Sequence, residues 1–297
     1  MKKNWNYTAL VVGFTICLGC EDVIDIQTDD APTQITVDAW INNLPSDQFI
    51  RLTESQPYFE NEFTPGIQGA EITITSESGQ IYEFLDQNNG DYIWSRPTDS
   101  VFGMVGETYL LQVSVNDQTL VSQAKMSATA QVDRIEQEFR TDELGGPDGI
   151  YAEFFARDLP GLGDTYWIKT FKNEMFLNKP EEINIAYDGG FDAGAEIDGI
   201  TFIPPIRELV NPFPDSSETD LPRYDTDDQI RVEIHSISLE AFLFLESARD
   251  QILNGSNTIF ASPIANSPGN VISTDARTEV LGVFCVSAVS SLEKKIE

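Results

Sequence analysis

Ala70 to Met126 read AEITITSESGQIYEFLDQNNGDYIWSRPTDSVFGMVGETYLLQVSVNDQTLVSQAKM. Apolar and polar residues alternate there in short runs: Ala70–Thr75, Gln80–Leu85, Asp91–Ser95, Thr108–Val115 and Thr119–Met126. That alternation is the period of a strand with one face in a core and the other in water. Turn formers separate the runs: Glu77-Ser-Gly79, Asn88-Asn-Gly90 and Asn116-Asp117. Asn, Asp and Gly tolerate the backbone angles that tight turns require.

The same period extends toward the N-terminus. Ile35, Val37 and Ala39 alternate with Thr36 and Asp38, Asn42-Asn43 marks a turn, and Phe49–Glu54 forms another run. About seven short strands divided by regular turns predict an immunoglobulin-like β-sandwich. It is expected over residues 34–128, as an architecture only, because the Cys and Trp hallmarks of antibody domains are missing.

A boundary is expected at Ser127–Gln131, followed by a second, β-rich module over 129–297. Its predicted strands are Val132–Arg140, Ile150–Arg157, Thr165–Leu177 and Gln229–Ser236. Lys179 to about Asp228 reads as a loop-rich stretch, of a length that is usually functional or mobile. Its aromatics, Phe191, Phe202, Phe213 and Tyr224, could dock a partner or fill a local core. One helix is expected near 238–253, capped by Ser238 and ended by Asn254-Gly255. Val280–Val289 is continuously apolar and predicts a central strand.

The first residues have another logic. Lys2 and Lys3 precede an apolar run, Ala9–Leu18, and then Gly19-Cys20. This order predicts a signal peptide over 1–19. The run is about half the roughly 20 residues that a membrane-spanning helix needs. Cys17-Leu18-Gly19-Cys20 resembles the lipobox of bacterial lipoproteins, in which cysteine follows the cut and is acylated. Cys17 stands where that box usually has Leu. Residues 20–33 then read as a lipidated tether, with a membrane anchor on Cys20. Each buried methylene of such a chain contributes about 0.8 kcal/mol.

Composition excludes some partners. The chain has 18 Lys+Arg against 49 Asp+Glu, a net charge of −31. Removing residues 1–19 removes two Lys and no acid, which leaves 16 against 49, or −33. Nucleic acid, whose phosphates need a basic face, is therefore not an expected partner. Cys17 leaves with the signal and Cys20 takes lipid, so Cys285 remains alone and no internal disulfide can form.

Candidate chemistry is sparse. His235 is the one histidine; it lies opposite the Ile230, Val232, Ile234 face and reads as a polar-face residue rather than a catalytic one. No serine elbow, zinc-binding helix motif, phosphate loop or dinucleotide fingerprint appears. Among so many acids, no pair marks a hydrolase. Asp188, Asp192, Glu196 and Asp198, spaced by glycines, offer oxygen ligands of the kind calcium takes, but they miss the EF-hand pattern. The plainer reading of 188–199 is an acidic loop with turn glycines. No other cofactor is expected.

The ordered set of segments resembles a family of Bacteroidota lipoproteins known as domain of unknown function 4249. The segments that carry the resemblance are Cys20-Glu-Asp-Val-Ile-Asp-Ile26, Ile35-Thr-Val-Asp-Ala-Trp-Ile41, Gly69-Ala-Glu-Ile-Thr-Ile74 with Gly90-Asp-Tyr92, and Val105-Gly-Glu-Thr-Tyr-Leu110. Val232-Glu-Ile-His-Ser-Ile-Ser-Leu-Glu-Ala-Phe242, Pro268-Gly-Asn-Val271 and Val280-Leu-Gly-Val-Phe284 complete it. Ala39 and Phe242 depart mildly from the family's usual residues. The resemblance implies an outer-membrane lipoprotein, often encoded beside a TonB-dependent receptor, and brings no catalytic residue. The acids after Cys20 also resemble the signal that sends such lipoproteins to the cell surface. The resulting expectation is a non-enzymatic, surface-exposed accessory or ligand-binding component working beside such a receptor. The alternatives are a calcium-dependent carbohydrate- or protein-binding module and, third, a hydrolase.

Overall fold

A computed structural model describes residues 32–56, 63–141, 148–191, 198–214, 223–254, 266–275 and 278–297. Cys20, Asp192 and Glu196 lie outside the described residues. The fold is mainly β, as the alternation predicts. Its first strands are β1 (Ile35–Asn42), β2 (Gln48–Glu54), β3 (Glu71–Ser76), β4 (Ile81–Asp86), β5 (Asp91–Trp94), β6 (Thr108–Val115) and β7 (Gln118–Lys125). Every second residue of β6 is buried: Tyr109, Leu111, Val113 and Val115. The β6–β7 hairpin turns on Asn116 and Asp117 alone, with Val115 paired to Gln118. Both turn residues have positive φ, 48° and 60°, which gives the tight turn the twist of its flanking strands.

The second part holds β8 (Val132–Arg140), β9 (Gly149–Ala156), β10 (Thr165–Lys172), β11 (Met175–Phe176), β12 (Asn184–Tyr187) and β13 (Gln229–Ile237). The single strand expected over Thr165–Leu177 is instead the β10–β11 hairpin. Asn173 and Glu174, at φ 50° and 65°, reverse the chain there. The stretch from Lys179 is also more ordered than expected. It contains a 3₁₀ turn (Pro180–Glu182), β12 and the five-residue helix α1 (Pro204–Glu208). α1 opens on two prolines, which lack N–H donors where a helix start leaves them unpaired. Helix α2 (Leu239–Asn254) follows β13. Ser238 caps it as expected, its Oγ accepting the Ala241 N–H at 3.2 Å. No helix among the described residues is long and apolar enough to cross a membrane.

The chain ends in β14 (Ile272–Ser273), β15 (Val280–Ser287) and β16 (Val289–Lys295), and these tie the parts together. One sheet runs β14-β7-β6-β3-β4-β5-β2-β1-β15, and a second runs β11-β10-β13-β16 with β12 beside β10. β8 and β9 pair as a ribbon. The nine-stranded path folds over at β4, which pairs with β3 along most of its length and with β5 only at Leu85 and Asp86. Its inner faces share one core, containing Val37, Ile50, Leu52, Ile74, Leu111 and Phe284. The expected modules 34–128 and 129–297 are therefore interleaved, and Thr33–Glu297 forms one compact unit.

β15 corrects one expectation. It is not hydrogen-bonded on both sides but closes the path, paired in parallel with β1 alone. Its apolar run reflects two buried faces. Phe284 and Val286 enter the sandwich core, while Val283 and Cys285 face α2 and Trp167. The free edge is served by a side chain: Asn270 donates to the Phe284 carbonyl and accepts its N–H, both at 2.8 Å. An edge strand satisfied in this way does not need charged residues to deter pairing.

Gly282 makes the parallel pairing possible. Its φ is 106°, and a Cβ there would lie 1.9 Å from the Val37 carbonyl oxygen. Gly282→Val is expected to cost on the order of 3 kcal/mol, from strain plus lost pairing. Gly79→Ala, also at positive φ but with open space around it, is expected to cost about 1 kcal/mol. Urea midpoints of the two variants check the order.

Candidate functional site

Two polar clusters stand out against the apolar cores. The first sits where the β9–β10 loop meets the end of β12. Asp158, Asp164 and Asp188 bring carboxylate oxygens within 4.8 Å of one another. Backbone hydrogen bonds hold the loops together: Asp188 donates to the Asp164 carbonyl at 2.7 Å, and Asp158 to that of Ile200 at 2.9 Å. Asp188 Oδ1 accepts the N–H groups of Gly163 (2.8 Å) and Asp164 (2.9 Å). Asp188 has φ 49° and the neighbouring Gly161 and Gly163 are also positive, so the chain bends tightly around the carboxylates.

Asp158 and Asp188 are each 1% exposed. Asp158 accepts the Tyr166 hydroxyl at 2.7 Å and the Gly199 N–H at 3.0 Å. Asp198 accepts the Gly161 N–H at 2.8 Å. Burial pushes the Asp164 carboxyl up to about 6, and the charges of Asp158, Asp188 and Asp198 add to this. Burial also raises Asp158, against the hydrogen bonds from Tyr166 and Gly199. Two relaxations relieve such crowding: a proton on Asp164 or a hard cation among the oxygens.

Of the four acids that could offer oxygen to calcium, Asp188 lies in this cluster and Asp198 beside it. Asp158 and Asp164 were missed. They flank Asp158-Leu-Pro-Gly-Leu-Gly-Asp164, which repeats the acid-and-glycine composition of 188–199. That composition was the available signal. What sequence could not supply is the strand pairing that sets the two loops side by side.

The second cluster lies between the sheets. His235 faces away from Ile230, Val232 and Ile234, as expected, but it is buried rather than turned to water. Its Nε2 is 3.0 Å from Glu233 Oε2. Burial pushes the imidazole down to about 4, with Lys169 adding to the effect. His235 is therefore neutral at physiological pH and donates its proton to Glu233. Burial would raise Glu233, but the His235 hydrogen bond and the charges of Arg231 and Lys169 outweigh it and hold the carboxyl low. The cations in this balance are Arg231, paired with Glu233, and Lys169, whose Nζ lies 3.9 Å from the Trp167 ring centroid. Burial brings Lys169 down to about 8. Cys285, behind this layer, is buried and its thiol is pushed up by burial.

The family model described as domain of unknown function (DUF4249) matches residues 21–293. The chain is a DUF4249 protein. No curated protein matches it. Both clusters of this DUF4249 chain fall within the matched residues.

The loop aromatics divide. Phe202 and Tyr224 fill the second core, and the Tyr224 hydroxyl bonds the Val210 carbonyl. Phe191 packs against that core, whereas Phe213 stays exposed.

A raised folded-state carboxyl has a definite pH signature. The folded protein holds the Asp164 proton more tightly than the unfolded chain, so stability falls as pH rises from about 4 to about 6. With a chelator present, Asp164→Asn is expected to raise Tm at pH 7.5, leave it unchanged at pH 4, and flatten the profile between. Calorimetric scans across that range check this.

Proposed function

We propose that this DUF4249 protein is a non-enzymatic, lipid-anchored protein of the outer membrane, exposed at the cell surface. In this reading it serves as an accessory or ligand-binding component beside a TonB-dependent receptor. The observation that carries the reading is the order of the chain: Lys2-Lys3, an apolar run, Gly19-Cys20, and then a family match that starts at residue 21. Acyl chains on Cys20 would supply the attachment. Support for a non-enzymatic role comes from the buried, neutral His235 and the buried Cys285, neither poised to act as base or nucleophile.

Cys20→Ala is expected to abolish palmitate labelling and move the protein out of the membrane fraction. Retained labelling would place the modification elsewhere. Tagged wild-type protein, purified from outer membranes, is expected to bring a TonB-dependent receptor with it. A preparation without one ends the accessory reading while leaving the anchor intact.

A second reading, calcium-dependent binding of a carbohydrate or protein, is favoured by the approach of Asp158, Asp164 and Asp188 within 4.8 Å. Titration calorimetry with calcium chloride is expected to give heat with wild type and none with Asp164→Asn. A flat wild-type titration removes this reading.

A further inference from the structure

Among the described residues the buried apolar side chains form three separate clusters, yet one short segment enters all of them. Phe284, Val286 and Ala288 lie in the sandwich core. Val283 and Cys285, on the other face of β15, lie in the cluster against α2. Ile296 lies in the core of the second sheet, with Leu292 packed on it. The same segment supplies an outer strand to each sheet, β15 beside β1 and β16 beside β13.

The passage from one sheet to the other takes a single residue, Ala288, which is 2% exposed. It is held on every side. Ser236 Oγ accepts its N–H at 3.1 Å, and its carbonyl accepts the Ser236 N–H at 3.0 Å. Asn43 Oδ1 accepts the Val289 N–H at 2.9 Å, and the Asn43 N–H donates to the Ser287 carbonyl at 3.2 Å. Ser236 also donates to the Ser127 carbonyl at 2.7 Å, which fixes the link between the two parts of the chain.

We infer that residues 280–296 form a folding latch: two late strands, β15 and β16, whose joint seating closes both sheets at once and couples their stability. Without it β1 and β13 each become an edge, and all three clusters lose buried side chains. Because the segment follows every other strand of both sheets, a chain moving N-terminus first stays unlatched until all those strands have passed. That last consequence rests on the exported reading above; the latch itself does not.

Native-state hydrogen exchange on the full chain tests the coupling. Val286→Ala, a change in the sandwich core only, is expected to speed exchange in β6 and in β13 by the same factor, on the order of tenfold. Leu292→Ala, on the other side of Ala288, is expected to reach back to β6. Val113→Ala, in the sandwich core but off the latch, is expected to speed exchange in β6 and spare β10 and β13. An effect of Val286→Ala confined to the first sheet, or of Leu292→Ala confined to the second, overturns the latch. So does Val113→Ala acting on β13 as strongly as Val286→Ala, since the molecule would then open as one unit with no special segment. The lipid labelling of Cys20 is unaffected by any of these outcomes, so the two readings fail separately.

Discussion

The parallel ladder between β1 and β15 is the contact on which the rest of the fold depends. It runs from Ile35 opposite Val280 to Asn42 opposite Ser287 and has no register break. A parallel pair needs a crossover, and here the crossover runs from β2 through β14. Every other strand of both sheets except β16 lies between the two partners in sequence. The entropy of closing that loop is paid before the contact is gained, which makes the topology slow to form. Once formed, the ladder gives the first sheet its last strand and aims the chain through Ala288 into the second.

What lies between the layers explains how they are oriented. Trp40 on β1 meets Trp167 on β10 edge to face, with centroids 4.9 Å apart, and Phe244 of α2 closes on Trp40. Beside these rings sit Lys169, Glu233, His235 and Arg231. Such a buried polar group contributes little net stability compared with apolar side chains of the same volume, because desolvation offsets the attraction. Its effect is geometric. A slip of one residue between β10 and β13 would part the Trp167–His235 pair and take Lys169 away from Glu233, whose donors Arg231 and His235 share its own strand.

Much of this was legible in the sequence. The Asn116-Asp117 turn, the alternation of β6 and the Ser238 cap are local, and local rules found them. The failures are long-range. The apolar run of 280–289 was read as a central strand, whereas β15 ends its sheet with both faces buried and its free edge closed by Asn270. The 165–177 run concealed a hairpin because Asn173 is the one usual turn former in its turn, and Glu174 beside it gives no such signal. In the acidic loops, composition led to Asp188 and Asp198, whereas Asp158 and Asp164 became visible only once β9, β10 and β12 placed two loops against each other.

The use of the few basic residues completes the electrostatic picture. Arg231 lies over Phe171 and against Glu233. Arg207 lies over Phe155 and pairs with Glu153, and Arg134 covers the same ring at 3.8 Å. Lys172 pairs with Asp228, and Lys169 lies on Trp167. The cations thus stabilise aromatic and carboxylate neighbours within the protein, and much of the acidic excess is left without positive charge beside it. A surface of that sign repels anionic lipid headgroups and draws cations and basic partners toward it. Attachment through the protein's own charge is therefore disfavoured, and an acyl anchor at Cys20 would have to act against that repulsion.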